Sequence, residues 1–516
     1  MFSALTIRYH MLRVVFREER VPLSQNGLDT DKPLSLVILG ASGDLAQKKI
    51  IPALFALYSQ KYLPKDVNIF GFARTHLNDD EFRKKVVENL TCRYVPGESC
   101  AEWMDAFLVR CHYVAGQYDS ADSFLDLSQA MKKYEGGGIA NRLYYLAIPP
   151  SIFIDVVRSL GGAGLVSCES CPGWSRIVIE KPFGRDRVSS DLMTNELSQV
   201  SDERDIYRID HYLGKEIIQN LMVLRFANTI FEPLWSRAYV ESIRITWKET
   251  FGIGSRAGYF DQFGIIRDVM QNHLIQIASL IAMEEPSSLG SQFVRDEKVR
   301  VLKCIEPVTL DNLVVGQYKG AVRGKTRVPA YAEEPGVPPG SITPTFAAAV
   351  LKINNNRWHG VPFFIKAGKG MDTRVSEIRI QFRPTARNIF SNIRPALPEN
   401  ALVIRVQPDE AIYFRVVNKQ PGLKLELVDT DLNLKYVSTF HEPIPEAYEA
   451  LILDALRGDK SMFIRSDEVA AAWDIFTPAL HELEERAIKP ELYKFGGQGP
   501  AAADALAVRH RLDDAS

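Results

Sequence analysis

Apolar and polar positions change rhythm partway along the chain. Leu-Ser-Leu-Val-Ile-Leu at 34–39 is a short, nearly continuous apolar run, which predicts a strand buried on both faces. A glycine-containing turn follows, then apolar positions at Ile50, Leu54 and Leu57 that predict a helix. Further strands are predicted at Asn68–Ala73, Tyr113–Ala115, Arg142–Ile148 and Arg176–Glu180, with helices at Asp79–Leu90 and Ser120–Tyr134 between them. Such alternation predicts a doubly wound α/β unit that ends near residue 205. Beyond it the period shortens to two. Ser242–Lys248, Ser376–Phe382, Ala401–Gln407 and Ala411–Val417 alternate as half-exposed antiparallel strands do. Helical stretches at Gly264–Met283 and Pro445–Leu456 interrupt them, and the Pro/Gly-rich Glu334–Gly340 reads as a loop.

Composition narrows the partners. The 516 residues carry 62 Lys+Arg against 64 Asp+Glu, a net charge of −2, with 46 % hydrophobic and 24 % charged residues. These are globular values, with no overall charge to attract nucleic acid or an anionic membrane. No apolar run approaches the roughly 20 residues that cross a bilayer. Six cysteines (Cys92, Cys100, Cys111, Cys168, Cys171 and Cys304) are sparse for this length and do not read as a disulfide framework. A reducing, cytoplasmic compartment is expected. Cys168-Glu-Ser-Cys171 cannot complete a tetrahedral zinc site alone and precedes a strand, so it reads as two incidental thiols. Arg8, Arg13 and Arg17 precede the first acid, Glu18, a weak transit-segment character; residues 1–33 are read as a disordered extension.

After the first strand stands Gly40-Ala41-Ser42-Gly43-Asp44-Leu45-Ala46, a variant of the dinucleotide fingerprint. Its glycines permit a tight turn and close approach of a pyrophosphate to a helix N-terminus. The first unit is therefore expected to be Rossmann-like. An acid at the end of the second strand would suit NAD; this chain has Arg74 there and no acid between Asn68 and His76. A guanidinium suits a 2′-phosphate, so NADP is the expected cofactor.

Three segments concentrate reactive residues. Glu180-Lys181-Pro182-Phe183-Gly184 ends a predicted strand, where α/β clefts form, and Pro182 there allows a cis peptide. In Arg208-Ile-Asp210-His211-Tyr212-Leu-Gly214-Lys215-Glu216, a helix would put His211 and Lys215 on one face as a two-cation phosphate site. In Gly264-Ile-Ile-Arg267-Asp268-Val-Met-Gln-Asn-His273, the acid and the histidine are separated by about 140° on an α-helix, flanking a cleft without stacking. His273 is a candidate base, with Asp268 its nearest carboxylate.

These segments, in this order, resemble glucose-6-phosphate dehydrogenases, and Arg-Val-Gln-Pro (405–408) and Phe-Ile-Arg-Ser-Asp-Glu (463–468) extend the resemblance into the second unit. The resemblance implies oxidation of the C1 hydroxyl of glucose 6-phosphate to the lactone, with hydride passing to NADP+, in the first step of the pentose phosphate pathway. It implies a Rossmann-like domain at 34–209 and, at 210–516, an α+β domain with a large, mainly antiparallel sheet that binds substrate and assembles homodimers or homotetramers. His273 is then the general base and Asp210, rather than Asp268, its orienting carboxylate; Asp268 and Glu249 contact sugar hydroxyls. His211, Tyr212 and Lys215 bind the phosphate, and Lys181 bridges sugar and nicotinamide. Lys369, Arg374 and Gln407 are further substrate contacts, while the 40–45 turn and Arg74 hold the cofactor. Some members bind a second, structural NADP+; Arg379 and Arg405 match that site, but Val375 and Gln498 replace cations there, which argues against it. The alternatives are an oxidoreductase of the glucose–fructose oxidoreductase or inositol dehydrogenase type and a non-catalytic NADP(H) sensor. The 208–216 segment disfavours the first, and intact Asp210, Lys181 and His273 disfavour the second.

Overall fold

The computed structural model describes residues 32–512 except 96, 98, 137–138, 167–172, 325 and 442. The Cys168/Cys171 pair and nearly all of the N-terminal extension lie outside the described residues. Strands β1 (Leu34–Leu39), β2 (Asn68–Ala73), β3 (Cys111–Ala115), β4 (Asn141–Leu146), β5 (Ser175–Ile179) and β6 (Ile206–Arg208) form a parallel sheet. Its order is β3-β2-β1-β4-β5-β6. All positions of β1 and β2 are buried, as their unbroken apolar runs predict. The winding reverses between β1 and β4, so the ligand crevice opens at the C-terminal ends of those two strands.

The second sheet comprises β7 (Val240–Lys248), β8 (Leu313–Lys319), β11 (Phe346–Lys352), β12 (Pro362–Gly368), β13 (Val375–Phe382), β14 (Ala401–Gln407), β15 (Ala411–Lys419), β16 (Leu427–Lys435) and β17 (Glu491–Lys494). A small separate hairpin pairs β9 (Ala321–Arg323) with β10 (Thr326–Val328). The order is β16-β15-β14-β13-β7-β12-β11-β8-β17, antiparallel except where β12 meets β7 and β17 meets β8. The fold is thus a Rossmann-like α/β unit followed by an α+β unit on a large, mostly antiparallel sheet. Period-two alternation marked β7, β13, β14 and β15. It missed β11, whose first six positions are all buried and so carry no polar alternation.

Three expectations need correction. The stretch 264–283 is not one helix: an α-helix at Ala257–Ile265 is broken at Gly264 (φ 64°, ψ 174°), a π-helix follows at Ile266–Leu274, and an α-helix resumes at Ile275–Ala282. Residues 210–215 form successive turns, and the helix starts only at Glu216. Cys92 and Cys100 form a disulfide, with Cα atoms 5.8 Å apart. A low cysteine count argues against a disulfide framework, but an eight-residue separation is enough to close one bridge.

Candidate active site

Close backbone contact shapes the turn after β1. Gly40 has φ +91°, and a Cβ there would stand 2.3 Å from the Ala147 carbonyl oxygen just past β4. Only glycine fits. Its N–H donates to the Phe72 carbonyl at 2.8 Å, Gly43 N–H returns to the Gly40 carbonyl at 2.9 Å, and Gln47 Nε2 braces the Ala41 carbonyl at 2.7 Å. The helix begins at Asp44, with its positive end toward the crevice. A backbone cradle that excludes a Cβ, opening on a helix N-terminus, fits a dinucleotide pyrophosphate. At the end of β2, Arg74 lies 5.6 Å over the Tyr118 ring, and Thr75 Oγ1 lies 3.3 Å from Ser42 Oγ in the phosphate turn. Ser42, Arg74 and Thr75 thereby border the cofactor turn.

The π-helix decides the geometry of the reactive centre. Its i→i+5 bonding makes five residues roughly one turn, so Asp268 and His273 project to the same side rather than about 140° apart. All nine of its residues are buried. His273 nevertheless pairs with Asp210 from the other segment: Nδ1 lies 2.5 Å from Oδ1. Asp210 Oδ1 also accepts Tyr212 N–H at 3.0 Å, a side-chain-to-backbone turn that competes with helix formation at 210–215. His211 and Lys215 share the cleft although no helix aligns them. Their spacing comes from turns in which Leu213, Gly214 and Lys215 N–H groups donate three residues back.

Burial pulls the His273 imidazole below its ordinary range, with Asp210 opposing, so the ring is a neutral base at pH 7. Burial would raise the Asp210 carboxyl, but His273, His211 and Lys181 hold it at about 2. Lys181 Nζ donates to the Asp268 carbonyl at 2.6 Å and to its Oδ1 at 3.1 Å. Burial opposes ionisation of Asp268 too, yet Lys181, Lys369 and Arg256 keep it below the usual carboxylate range.

These groups line one cleft of about 650 Å³. His273, Lys181 and Asp268 form its centre, with Asp210 behind. Glu249 and Lys369 stand together on its wall, 2.6 Å apart. His211 and Tyr212 pack directly on the His273 ring, with centroids 4.6 and 4.7 Å away, and lead on to Lys215, Arg374 and Gln407, where Lys215 Nζ donates to Gln407 Oε1 at 3.3 Å and Tyr212 Oη accepts Trp247 Nε1–H at 2.6 Å. Leu45 reaches the cleft from the dinucleotide turn. A neutral base held by a buried carboxylate, next to a cation-rich end, can remove a proton from a hydroxyl of an anionic substrate.

Two family models match in tandem: "Glucose-6-phosphate dehydrogenase, NAD binding domain" over residues 37–220, and "Glucose-6-phosphate dehydrogenase, C-terminal domain" over 222–513. The chain belongs to the glucose-6-phosphate dehydrogenase family. The Arabidopsis thaliana "Glucose-6-phosphate 1-dehydrogenase 1, chloroplastic" is 52 % identical over 485 residues, 93 % of this chain and 84 % of that one. A Solanum tuberosum cytoplasmic isoform of glucose-6-phosphate 1-dehydrogenase is 46 % identical over 480 residues, 92 % of this chain and 91 % of that one. Among solved structures, a glucose-6-phosphate dehydrogenase in complex with its substrate glucose 6-phosphate superposes with a TM-score of 0.87 at 42 % identity, covering 94 % of this chain and 99 % of that one. Like the family, the chain is an oxidoreductase acting on a CH–OH group, with a domain for a nicotinamide dinucleotide.

Several cleft residues escaped the sequence reading. Arg256, Tyr259 and Tyr448 line it, and Tyr259 Oη donates to Asp268 Oδ1 at 3.4 Å. They lie outside the recognised motifs, and a lone tyrosine or arginine carries no spacing signal. Glu180 lies within a motif but received no role; it is buried and accepts Tyr145 Oη–H at 2.5 Å. The Lys181–Pro182 and Gln407–Pro408 peptides are both cis. On the half-exposed face of the large sheet, Arg379 Nε donates to Gln381 at 2.9 Å and Arg405 to Tyr413 at 3.2 Å. Val375 stands across from Lys248, which pairs with Asp372.

Proposed function

We propose that this cleft oxidises glucose 6-phosphate at C1 to 6-phosphogluconolactone and that the hydride acceptor is NADP+. The observation that carries the reading is the buried His273–Asp210 pair, opening into a cleft whose far end is cationic. His273 takes the C1 hydroxyl proton at its free nitrogen. Asp210 fixes the tautomer and stabilises the imidazolium that forms. Lys181 and Asp268 orient the sugar, helped by Glu249 and Lys369, while His211, Tyr212, Lys215, Arg374 and Gln407 hold the phosphate end. Residues 40–45 and Arg74 hold the dinucleotide, and its nicotinamide, when bound, supplies the hydride acceptor. NADP+ rather than NAD+ is favoured by Arg74 and by the hydroxyls of Ser42 and Thr75, with no carboxylate on that strand end. The test is NADPH absorbance with glucose 6-phosphate and NADP+ or NAD+. Turnover by the parental chain and its loss in His273→Asn are expected; near-normal turnover in the variant would overturn the assignment.

Self-association is the second part of the reading. Edge strand β16 exposes Leu432 among Asp429, Asp431 and Lys435, and its flanks expose Leu423, Leu425, Val437 and Phe440; this edge of mixed apolar and charged groups suits a second copy of the chain. Light scattering after size exclusion is expected to give a multiple of 58.1 kDa, and Leu432→Glu with Phe440→Glu a monomer. A cytoplasmic site of action remains the expectation from the sequence, although relatives include chloroplastic as well as cytoplasmic proteins. Residues 1–33 fused to a fluorescent reporter test it: diffuse signal supports the expectation, and organellar signal overturns it.

A further inference from the structure

The chain between β5 and the helix Arg187–Ser198 carries Lys181 but has no regular structure of its own from 181 to 186. Its backbone groups must find partners on other elements. The second unit supplies three of them. The Phe183 carbonyl accepts Trp473 Nε1–H at 2.9 Å, with both side chains buried. The Arg185 carbonyl accepts Arg267 Nε–H at 2.7 Å. The Arg187 N–H, which has no partner within its own helix, donates to Thr477 Oγ1 at 3.1 Å.

These partners are connected. Trp473, Thr477, His481 and Glu484 recur at helical spacing in the helix Ser466–Glu485 and so share one face. His481 Nε2 stands 3.4 Å from Asp186 Oδ2, and Glu484 Oε1 accepts Arg267 Nη2–H at 2.6 Å. Arg267 in turn belongs to the π-helix and precedes Asp268, whose carbonyl and carboxylate accept Lys181 Nζ. A helix face thus pins the backbone of the Lys181 turn, and the π-helix pins its ammonium.

We propose that Trp473 and Arg267 are positioning residues for the oxidation of glucose 6-phosphate: through the Phe183 and Arg185 carbonyls they fix where Lys181 stands between sugar and nicotinamide. The proposal rests on the assignment of Lys181 to both ligands. Neither Trp473 nor Arg267 lines the cleft, so each acts through the turn. A carbonyl that loses its donor inside the protein has to turn toward another, and a segment with no ladder of its own moves with it. Sugar and dinucleotide keep their remaining contacts, at Glu249, Lys369 and Lys215 and at the 40–45 turn. Alignment is lost, and binding is largely kept.

Steady-state kinetics on the full chain test this, with active sites counted by NADP+ binding. Trp473→Phe keeps a ring and loses the N–H donor. Its kcat is expected to fall about fivefold, the size of one hydrogen bond between uncharged groups, with KM for both substrates within about threefold. Arg267→Gln loses a charged donor and is expected to lower kcat about twentyfold. In a Lys181→Met background, assayed at high enzyme concentration, the same changes are expected to alter the residual kcat by less than about twofold, since the ammonium they position is gone. Full-size losses in that background, or kcat within about twofold of the parental value in both single variants, overturn the proposal. A lowered melting temperature alone counts against it, as a merely structural role. Trp473→Phe lies away from Asp268 and decides the question even if Arg267→Gln does not fold. Parental turnover in Lys181→Met instead overturns the assignment of Lys181, and this proposal with it.

Discussion

His273 Nδ1 lies 2.5 Å from Asp210 Oδ1, across 63 residues of sequence and between two buried side chains. The pair sets the protonation state of the proposed base. Burial holds the imidazole neutral, while the Asp210 charge opposes this by favouring the imidazolium. Activity is therefore expected to be flat through pH 7 and to fall only as pH drops below the ordinary imidazole range, when His273 gains a proton. In Asp210→Asn the opposing charge is gone, so the His273 pKa drops further and the acidic limb of kcat/KM moves to lower pH. The same change weakens the base, and kcat is expected to fall by about 10²–10⁴. A pH–rate profile of both enzymes checks this; an acidic limb that stays put or moves upward counts against the pairing.

Much of this was legible in residue order, and the misses have physical causes. The parallel sheet showed because β1 and β2 are buried on both faces and read as apolar runs. The Asp268–His273 relation did not show, because a helical pattern carries no mark of whether its turns close at four or five residues. Nor did the His211–Lys215 turns: the Asp210 carboxylate that caps Tyr212 N–H diverts the chain from the helix its spacing suggests. Pairing His273 with Asp210 instead of Asp268 came from the family resemblance. Residue types and spacing alone pointed to the wrong carboxylate.

The proposed preference for NADP+ is tested at Arg74. Its guanidinium stands over Tyr118 beside Ser42 and Thr75, where a 2′-phosphate would meet it. Arg74→Ala is expected to lower kcat/KM for NADP+ by about 10–100-fold, the cost of a lost charge-assisted contact, and to leave NAD+ nearly unchanged. Equal losses with both nucleotides would assign Arg74 a structural part instead.

Lys298 and Glu468 form an ion pair at 2.6 Å with both side chains fully buried, joining the helices Ser291–Leu302 and Ser466–Glu485. Glu468→Gln preserves shape and the acceptor for Arg465 N–H but strands a buried ammonium. The expected loss is about 3–5 kcal/mol of stability by urea titration. Lys298→Met with Glu468→Leu removes both charges and is expected to recover most of it. A double variant no better than Glu468→Gln would mean that packing, not charge, sets the cost.

His211 is expected to take up a proton when the substrate binds. Burial holds its imidazole well below the ordinary range, His273, Lys181 and Lys215 add to this, and Asp210 opposes. The free ring is therefore neutral at pH 7. A phosphate dianion beside it and Lys215 favours the imidazolium and raises that pKa. At any pH between the free and bound values, binding draws a proton from solution. The phosphate itself has its second pKa at about 6, so at pH 7 or above its own titration contributes little. Calorimetry of glucose 6-phosphate binding in two buffers of different ionisation enthalpy is expected to show net uptake, absent in His211→Asn. Buffer-independent heats for the parental enzyme would mean that His211 meets the phosphate as a neutral donor, leaving Lys215 and Arg374 to supply the charge.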